Sequence, residues 1–294
     1  MRTLVTGQHG FTGRYVCAAL RTAGHDVPPF NADITNRAEI EAAVADIRPE
    51  GVVHLAASAF VHSADIARFY VVNQLGTFEL LDALTRLTPN IPVLLASSAN
   101  IYGNTVSGYL DENAPGAPAN HYAASKLAME TGAKLWSDRL GITITRPFNY
   151  TGRGQHEDYL IAKIVAHFRR REPVIELGNL DVARDFGDVR AVSEAYVKLL
   201  NLARPGTYNI CTGQVHSLRD VIETCRDITG HNIEIRVNPA FVRANDVALL
   251  AGNPMRLRTA LGHWNPPPLR DTLQWMLADE TGTDVNDALS EVRN

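Results

Sequence analysis

The sequence predicts an α/β protein: a Rossmann-type, doubly wound parallel sheet with a smaller mixed α/β lobe attached. Three observations carry this. Arg2-Thr3-Leu4-Val5 is a β-type run leading into glycines at 7, 10 and 13, and then into Arg14 to Leu20, apolar at helical spacing. Strand-like and helix-like segments alternate as far as residue 150, the rhythm of parallel βαβ units. Past Asn149 the elements become shorter and mixed.

The first element has the form of a dinucleotide site. Gly7 permits a tight turn, and Gly10 lets backbone N–H groups approach a pyrophosphate. Gly13 lets the helix sit close on the strand, with its positive end toward the phosphates. Chance also produces this Gly-x-x-Gly-x-x-Gly spacing, so the flanking strand and helix are what point to a cofactor. His25 to Phe30 is a weak second strand, spoiled by two prolines. Such folds place an acidic residue about 20 positions after the glycines to hold the adenosine ribose. The one candidate is Asp33. It lies past the strand end, where it could touch adenine or simply cap the next helix. NAD and NADP are left open.

Residues 36–48 read as an amphipathic helix, and 51–57 as a buried strand whose small end leaves room for a cofactor across the sheet edge. A long helix over 69–84 contains Asn73, a residue ordinarily solvated. The strand 91–96 runs into Ser97-Ser98-Ala99-Asn100-Ile101-Tyr102-Gly103. A helix from Tyr122 to about residue 140 and a strand over 142–146 follow. In the second half, helices are expected over 159–171, 194–203, 217–228 and 269–278, with strands at 174–177 and 207–210. Residues 1–150 are thus read as the dinucleotide domain, with a segment near 184–210 returning to it. The second lobe takes 151–183 and 211–280, and 281–294 is a mobile tail.

A chain of 294 residues with 45% hydrophobic and 20% charged residues is ordinary for a globular protein. Its net charge of −4 gives no reason to propose nucleic acid or an anionic membrane as partner. No apolar run reaches the ~18–20 residues of a membrane span. The cofactor strand starts at Arg2, so no leader segment is expected. Cys17, Cys211 and Cys225 lack metal-ligand spacing and read as reduced thiols of a cytoplasmic protein; no metal is expected.

Chemistry enters with Tyr122-Ala123-Ala124-Ser125-Lys126, whose i, i+4 spacing puts Tyr and Lys on one helix face. A free tyrosine has a pKa near 10; lowering it by about three units, roughly 4 kcal/mol, would ease proton exchange at neutral pH. A lysine cation one turn away, with an oxidised nicotinamide, can supply that. A bare surface pair is the plainer alternative. Ser98, otherwise a turn-forming serine, should sit at the same sheet edge, where its hydroxyl can hold a carbonyl oxygen. Together with the glycine turn, these residues point to carbonyl reduction or alcohol oxidation.

On those residues, with His54-Leu55-Ala56-Ala57, Asn73 and Arg146-Pro147-Phe148-Asn149, the sequence resembles an extended short-chain dehydrogenase/reductase acting on nucleotide sugars. Gly178 to Phe186, Val189-Arg190, Arg243 to Val247 and Gly252-Asn253-Pro254 are most similar to GDP-mannose 4,6-dehydratases and GDP-4-keto-6-deoxy-mannose reductases. The resemblance implies Ser98, Tyr122 and Lys126 as catalytic, with Ser98 on the sugar C4 oxygen and Lys126 on the nicotinamide ribose. It implies a cofactor set of Gly7, Gly10, Phe11, Thr12, Gly13, Asp33, Ile34, Leu55, Ala56, Ala57 and Asn73, together with Tyr122 and Lys126. The implied substrate set is Asn100, Asn149, Lys163, Asn179, Arg184, Arg243 and Asp246. Arg184 paired internally with Asp185 is the alternative for that arginine. The cofactor is NAD(P)H, the partner a nucleotide sugar, and a homodimer is expected through helices 69–84 and 122–140. The dehydratases carry a glutamate base where this chain has Asn100, which has no useful basicity. Reduction of a 4-keto sugar, probed by adding reduced cofactor, is therefore expected ahead of dehydration, epimerisation or a purely regulatory cofactor-binding role.

Overall fold

The computed structural model describes residues 1–59, 65–104, 108–241 and 249–278. Strand β1 (Thr3–Thr6) enters the glycine turn and helix α1 (Phe11–Thr22). The weak second strand contracts to one parallel bridge between Arg2 and Asp26, since Pro28 and Pro29 offer no N–H to a ladder. The Asn36 side chain caps α2 (Arg37–Ile47), and β2 (Gly51–His54) follows. The helix expected over 69–84 is a longer rod in three parts: α3 (Ile66–Tyr70), a π-helical turn at Val71–Leu75, and α4 (Gly76–Leu87). Next come β3 (Pro92–Ala96), β4 (Gly108–Leu110), α5 (His121–Ala133) and β5 (Gly141–Pro147). α5 tightens into a 3-10 turn at Lys134–Trp136 instead of running to residue 140.

The second half opens with β6 (Asn149–Thr151), α6 (Leu160–Arg169), β7 (Val174–Leu177), β8 (Ala183–Arg184) and β9 (Phe186–Asp188). Asp188 caps α7 (Val189–Leu202), which therefore starts ahead of residue 194. It leads to β10 (Gly206–Ile210), β11 (His216–Ser217) and α8 (Leu218–Thr229), whose Ser217/Asp220 capping box matches the start expected from sequence. β12 (Glu234–Val237), β13 (Leu249–Gly252), α9 (Met255–Leu261) and α10 (Leu269–Leu277) complete the described chain.

The main sheet is parallel, in the order β1-β2-β3-β5-β10. Its apolar runs divide by strict alternation. Leu4, Val52, Val93 and Leu95 pack with Ile40, Leu80 and Met129 of α2, α4 and α5. Val5, Val53 and Leu94 pack with Leu20 of α1 and Leu199 of α7. Asp26 lies on one side of β1 and β2 on the other, so the chain order reverses at β1. The ligand crevice of such a sheet opens at that reversal, over the glycine turn.

α7 and β10 belong to this first unit, whereas Phe186–Asp188 pairs with β6 and stays outside the sheet. The expected boundary of the second lobe needs one further correction. Leu257 and Trp264 pack with α1 and α7, covering β10, because a buried edge strand needs an apolar partner on its flank. Conversely, β4 leaves the first half to join a sheet ordered β11-β8-β13-β4. The lobe's own core joins α6, α8 and α10 around Phe168, Leu177, Val221 and Leu273, beside the parallel pair β7 and β12. All three cysteines are free and buried. Among the described residues no helix is long and apolar enough to cross a membrane. The tail 281–294 lies outside the described residues.

Candidate active site

Gly7 has φ +72°, and a Cβ there would lie 2.9 Å from the Ala56 nitrogen. A Cβ on Gly13 would collide with the Gly7 carbonyl oxygen. Side chains are therefore excluded where β1, β2 and α1 converge. Gly10 caps α1 with no side-chain acceptor, and no acidic residue stands in the first turn. The N–H groups at Phe11 and Thr12 thus begin a helix whose positive end is left to an external anion, a cradle that fits a pyrophosphate. Gln8 fixes the adjacent wall: its amide donates to the Pro28 carbonyl (2.6 Å) and accepts from the Phe30 N–H (3.3 Å). Asp33 is exposed and accepts from the Thr35 N–H and hydroxyl, which hold its carboxyl below the usual range. Ile34 is buried.

The floor of the crevice is a chain of hydrogen bonds that sequence reading did not anticipate. Thr6 Oγ1 accepts from the N–H groups of Leu55 (3.1 Å) and Ala56 (3.0 Å), so its own proton goes to His54 Nδ1 (2.7 Å). His54 Nε2–H then faces Thr77 Oγ1 (2.8 Å), whose proton goes to the Asn73 carbonyl (2.8 Å). Burial, with the Lys126 cation nearby, pushes His54 down to about 3, so the ring is neutral. Asn73 is buried rather than solvated. Its amide donates to Ser58 O (3.0 Å) and Ser125 Oγ (3.0 Å) and accepts from Ser58 N–H (2.7 Å). That side chain holds the segment after Ala57 against α5. The one sequence signal for this role was a lone Asn on an apolar helix.

Ser98, Tyr122 and Lys126 converge at the end of β3. Ser98 is buried; its hydroxyl accepts from Asn100 N–H (3.1 Å) and is close enough to the Tyr122 phenol to influence its proton affinity. Lys126 is also buried and donates to the carbonyl of Ala96, the last residue of β3 (2.7 Å). Burial lowers the lysine to about 8, against a raising influence of Glu130. One expectation is overturned here. Burial raises Tyr122 to about 12; the Ser98 hydroxyl opposes this, and the Tyr150 and Tyr159 phenols reinforce it. The reason is desolvation: the pocket that gathers the two groups disfavours phenolate more than a cation held against Ala96 relieves it. Next to Ser98, the buried Ser97 hydroxyl has no hydrogen-bond partner among the described residues.

Behind the site, Arg146 forms a buried 2.7 Å ion pair with Glu130 and donates to the Tyr102 hydroxyl (3.0 Å) and Glu112 carbonyl (3.0 Å). Tyr102 donates to Asn209 Oδ1 (2.7 Å), so β3, β5 and β10 are locked together at their carboxyl ends.

The substrate side is more open. Asn100 and Asn149 are exposed near the crevice, and Asn179 is exposed with its Oδ1 accepting from Asp181 N–H (3.0 Å). Lys163 donates to the Glu176 carbonyl (2.8 Å) and lies 4.8 Å over the Phe241 ring. Arg184 donates to the Ala183 carbonyl (2.8 Å). Asp185 instead accepts from Thr212 N–H (3.0 Å), Thr212 Oγ1 (2.8 Å) and Gly213 N–H (2.8 Å). Arg243 and Asp246 lie outside the described residues.

A glycine turn, a strand-end serine and a helix-start Tyr-x-x-x-Lys on one parallel sheet define an extended short-chain dehydrogenase/reductase. The chain belongs to the GDP-mannose 4,6 dehydratase family, whose profile matches residues 28–274. It is 36% identical over 271 residues to the GDP-6-deoxy-D-talose 4-dehydrogenase of Aggregatibacter actinomycetemcomitans, covering 90% of this chain and 92% of that one. It is 34% identical over 297 residues to the GDP-6-deoxy-D-mannose reductase of Pseudomonas aeruginosa, covering 95% and 96%. Among solved structures it is similar to RMD from P. aeruginosa complexed with NADPH (31% identity, TM-score 0.86, 94% and 96% covered). It is also similar to a candidate epimerase from Burkholderia cenocepacia (47% identity, TM-score 0.89, 94% and 96% covered).

Proposed function

We propose that this enzyme reduces the 4-keto group of a GDP-linked deoxy sugar with NAD(P)H. The observation that carries the reading is the convergence at the carboxyl end of β3 of Ser98, of Tyr122, whose phenol feels the Ser98 hydroxyl, and of Lys126, which donates to the Ala96 carbonyl (2.7 Å), on the same sheet as the anion cradle that opens α1. The glycine turn, Leu55, Ala56 and Ala57 would hold the cofactor, and a reduced nicotinamide supplies the hydride. Ser98 orients the carbonyl oxygen and Tyr122 gives it a proton. With burial raising it to about 12, the phenol is protonated at neutral pH and can give its proton to the carbonyl oxygen. Lys126 would hold the nicotinamide ribose; Asn149, Arg184 and Arg243 would meet the diphosphate, and Asp246 the ribose hydroxyls. Support for the GDP-sugar class comes from the two curated relatives named above.

Asn100, lacking basicity, disfavours the elimination chemistry of a dehydratase. The deciding experiment supplies a GDP-4-keto-6-deoxyhexose with NADPH or NADH and follows cofactor oxidation at 340 nm. Stoichiometric consumption supports the reductase. Turnover without added reduced cofactor would instead indicate an epimerase, and elimination of water from a GDP-hexose a dehydratase. Product NMR gives the C4 configuration. A cytoplasmic homodimer also fits this reading: Ile66, Val71, Leu75 and Leu135 are exposed on the α3–α5 face, at 48%, 40%, 53% and 76%. Leu75→Glu with Leu135→Glu should give monomers in light-scattering chromatography.

A further inference from the structure

Strand β6 is three residues long, and its alternation separates two tasks. Asn149 is exposed on the side the resemblance assigns to the sugar diphosphate. Tyr150 points to the opposite face, toward the glycine turn. Its hydroxyl lies 2.7 Å from Thr12 Oγ1, and its ring stacks on Phe11 with centroids 6.2 Å apart and planes at 14°. Phe11 and Thr12 are the two side chains between Gly10 and Gly13, in the first turn of the helix that faces the phosphates.

We propose that Tyr150 is a positioning residue for the cofactor: from the second lobe, its phenol holds Thr12, and with it the first-turn N–H groups, in the orientation a pyrophosphate needs. The inference rests on the reading that the glycine turn takes NAD(P)H. The backbone that delivers the phenol is itself clamped. Tyr150 is in register with Gly187 of β9, its carbonyl accepts from the Gln155 amide (3.2 Å), and Gln155 accepts from Thr151 Oγ1 (2.7 Å). Burial keeps the phenol neutral, so it adds no charge beside a phosphate. Gly10, at the start of α1, makes no side-chain cap bond to the turn.

Tyr150→Phe removes the hydroxyl and leaves the stack on Phe11. Dissociation constants for NADPH and NADH, read by quenching of intrinsic tryptophan fluorescence, should rise about 3- to 10-fold, the worth of one neutral hydrogen bond. Cofactor KM should rise with them, while kcat at saturating cofactor stays within about twofold, a split that general loss of packing would not produce. Thr12→Val should match this loss, and the double variant should lose no more than either single one. Binding within about twofold of the parent in both single variants, or losses that add in the double variant, would overturn the assignment. Should Tyr150→Phe fail to fold, Thr12→Val decides alone, with parental affinity again the overturning result. An unsubstituted protein that binds neither NADPH nor NADH would overturn the functional reading instead, a distinguishable failure.

Discussion

Around the cofactor edge, the polar side chains of the first unit are spent on one another. Thr6, His54, Thr77 and Asn73 form one buried chain, and Glu130, Arg146, Tyr102 and Asn209 another. In the second lobe, the side chains expected to meet the sugar nucleotide stand on short strands, a loop and helix α6. Asn149 and Asn179 are exposed, while Lys163 and Arg184 donate to backbone carbonyls near their own elements. The contrast teaches how one chain can serve two ligands. A satisfied, desolvated network fixes the geometry presented to an invariant cofactor, whereas half-solvated groups keep hydrogen-bonding capacity for the molecule that changes.

Substitutions should separate the two regions by both size and kind of effect. The largest is expected at their junction. Tyr122→Phe should cut kcat by about 10²–10⁴-fold and leave the melting temperature in place, measured by steady-state kinetics with thermal unfolding as control. Glu130→Leu strands Arg146 in the interior and should cost about 3–5 kcal/mol in urea unfolding, with much of it recovered by Glu130→Leu/Arg146→Met. Full stability in the single variant would break the picture of a rigid cofactor edge.

His54 gives a pH signature of the same region. Its folded pKa lies below the ordinary 6.5, so between about 3 and 6.5 the unfolded chain binds the extra proton and stability falls as pH falls. From pH 6.5 to 5 the group alone should remove about 2 kcal/mol, and His54→Asn should flatten that slope in urea titrations. Arg184→Met, on the open side, should raise KM for the nucleotide sugar about tenfold with little change in stability. Smallest of all, Arg236→Ala breaks the fully exposed pair with Glu234 and should leave the melting curve unchanged.

Much of the site was legible because its signals are local. Three glycines within seven residues, a strand running into Ser97-Ser98, and Tyr122 four residues from Lys126 each report on a turn, a strand end or a helix face without reference to distant chain. The π-helical turn at Val71–Leu75 was illegible, because no residue type marks such a turn and its wider hydrogen bonding is seen only in the backbone. Asn73 was weighed as a solvated residue because nothing near it in sequence reveals the partners Ser58 and Ser125, 15 and 52 positions away.

By itself, the sequence determined the parallel sheet, the dinucleotide turn and which side chains, Ser98, Tyr122 and Lys126, are candidates for the reaction. Residue type and short-range spacing decide those, and both survive any arrangement of the rest. Only the tertiary structure decided the state of those side chains. It brought Tyr150 to Thr12 across 138 residues and Arg146 to Glu130 across 16. It also withdrew the half-buried Tyr122 from water, so that its phenol rises to about 12 instead of falling toward neutrality. Proton affinity depends on how much water a fold removes from a group, and desolvation is a property of the packed interior that spacing along a chain does not record.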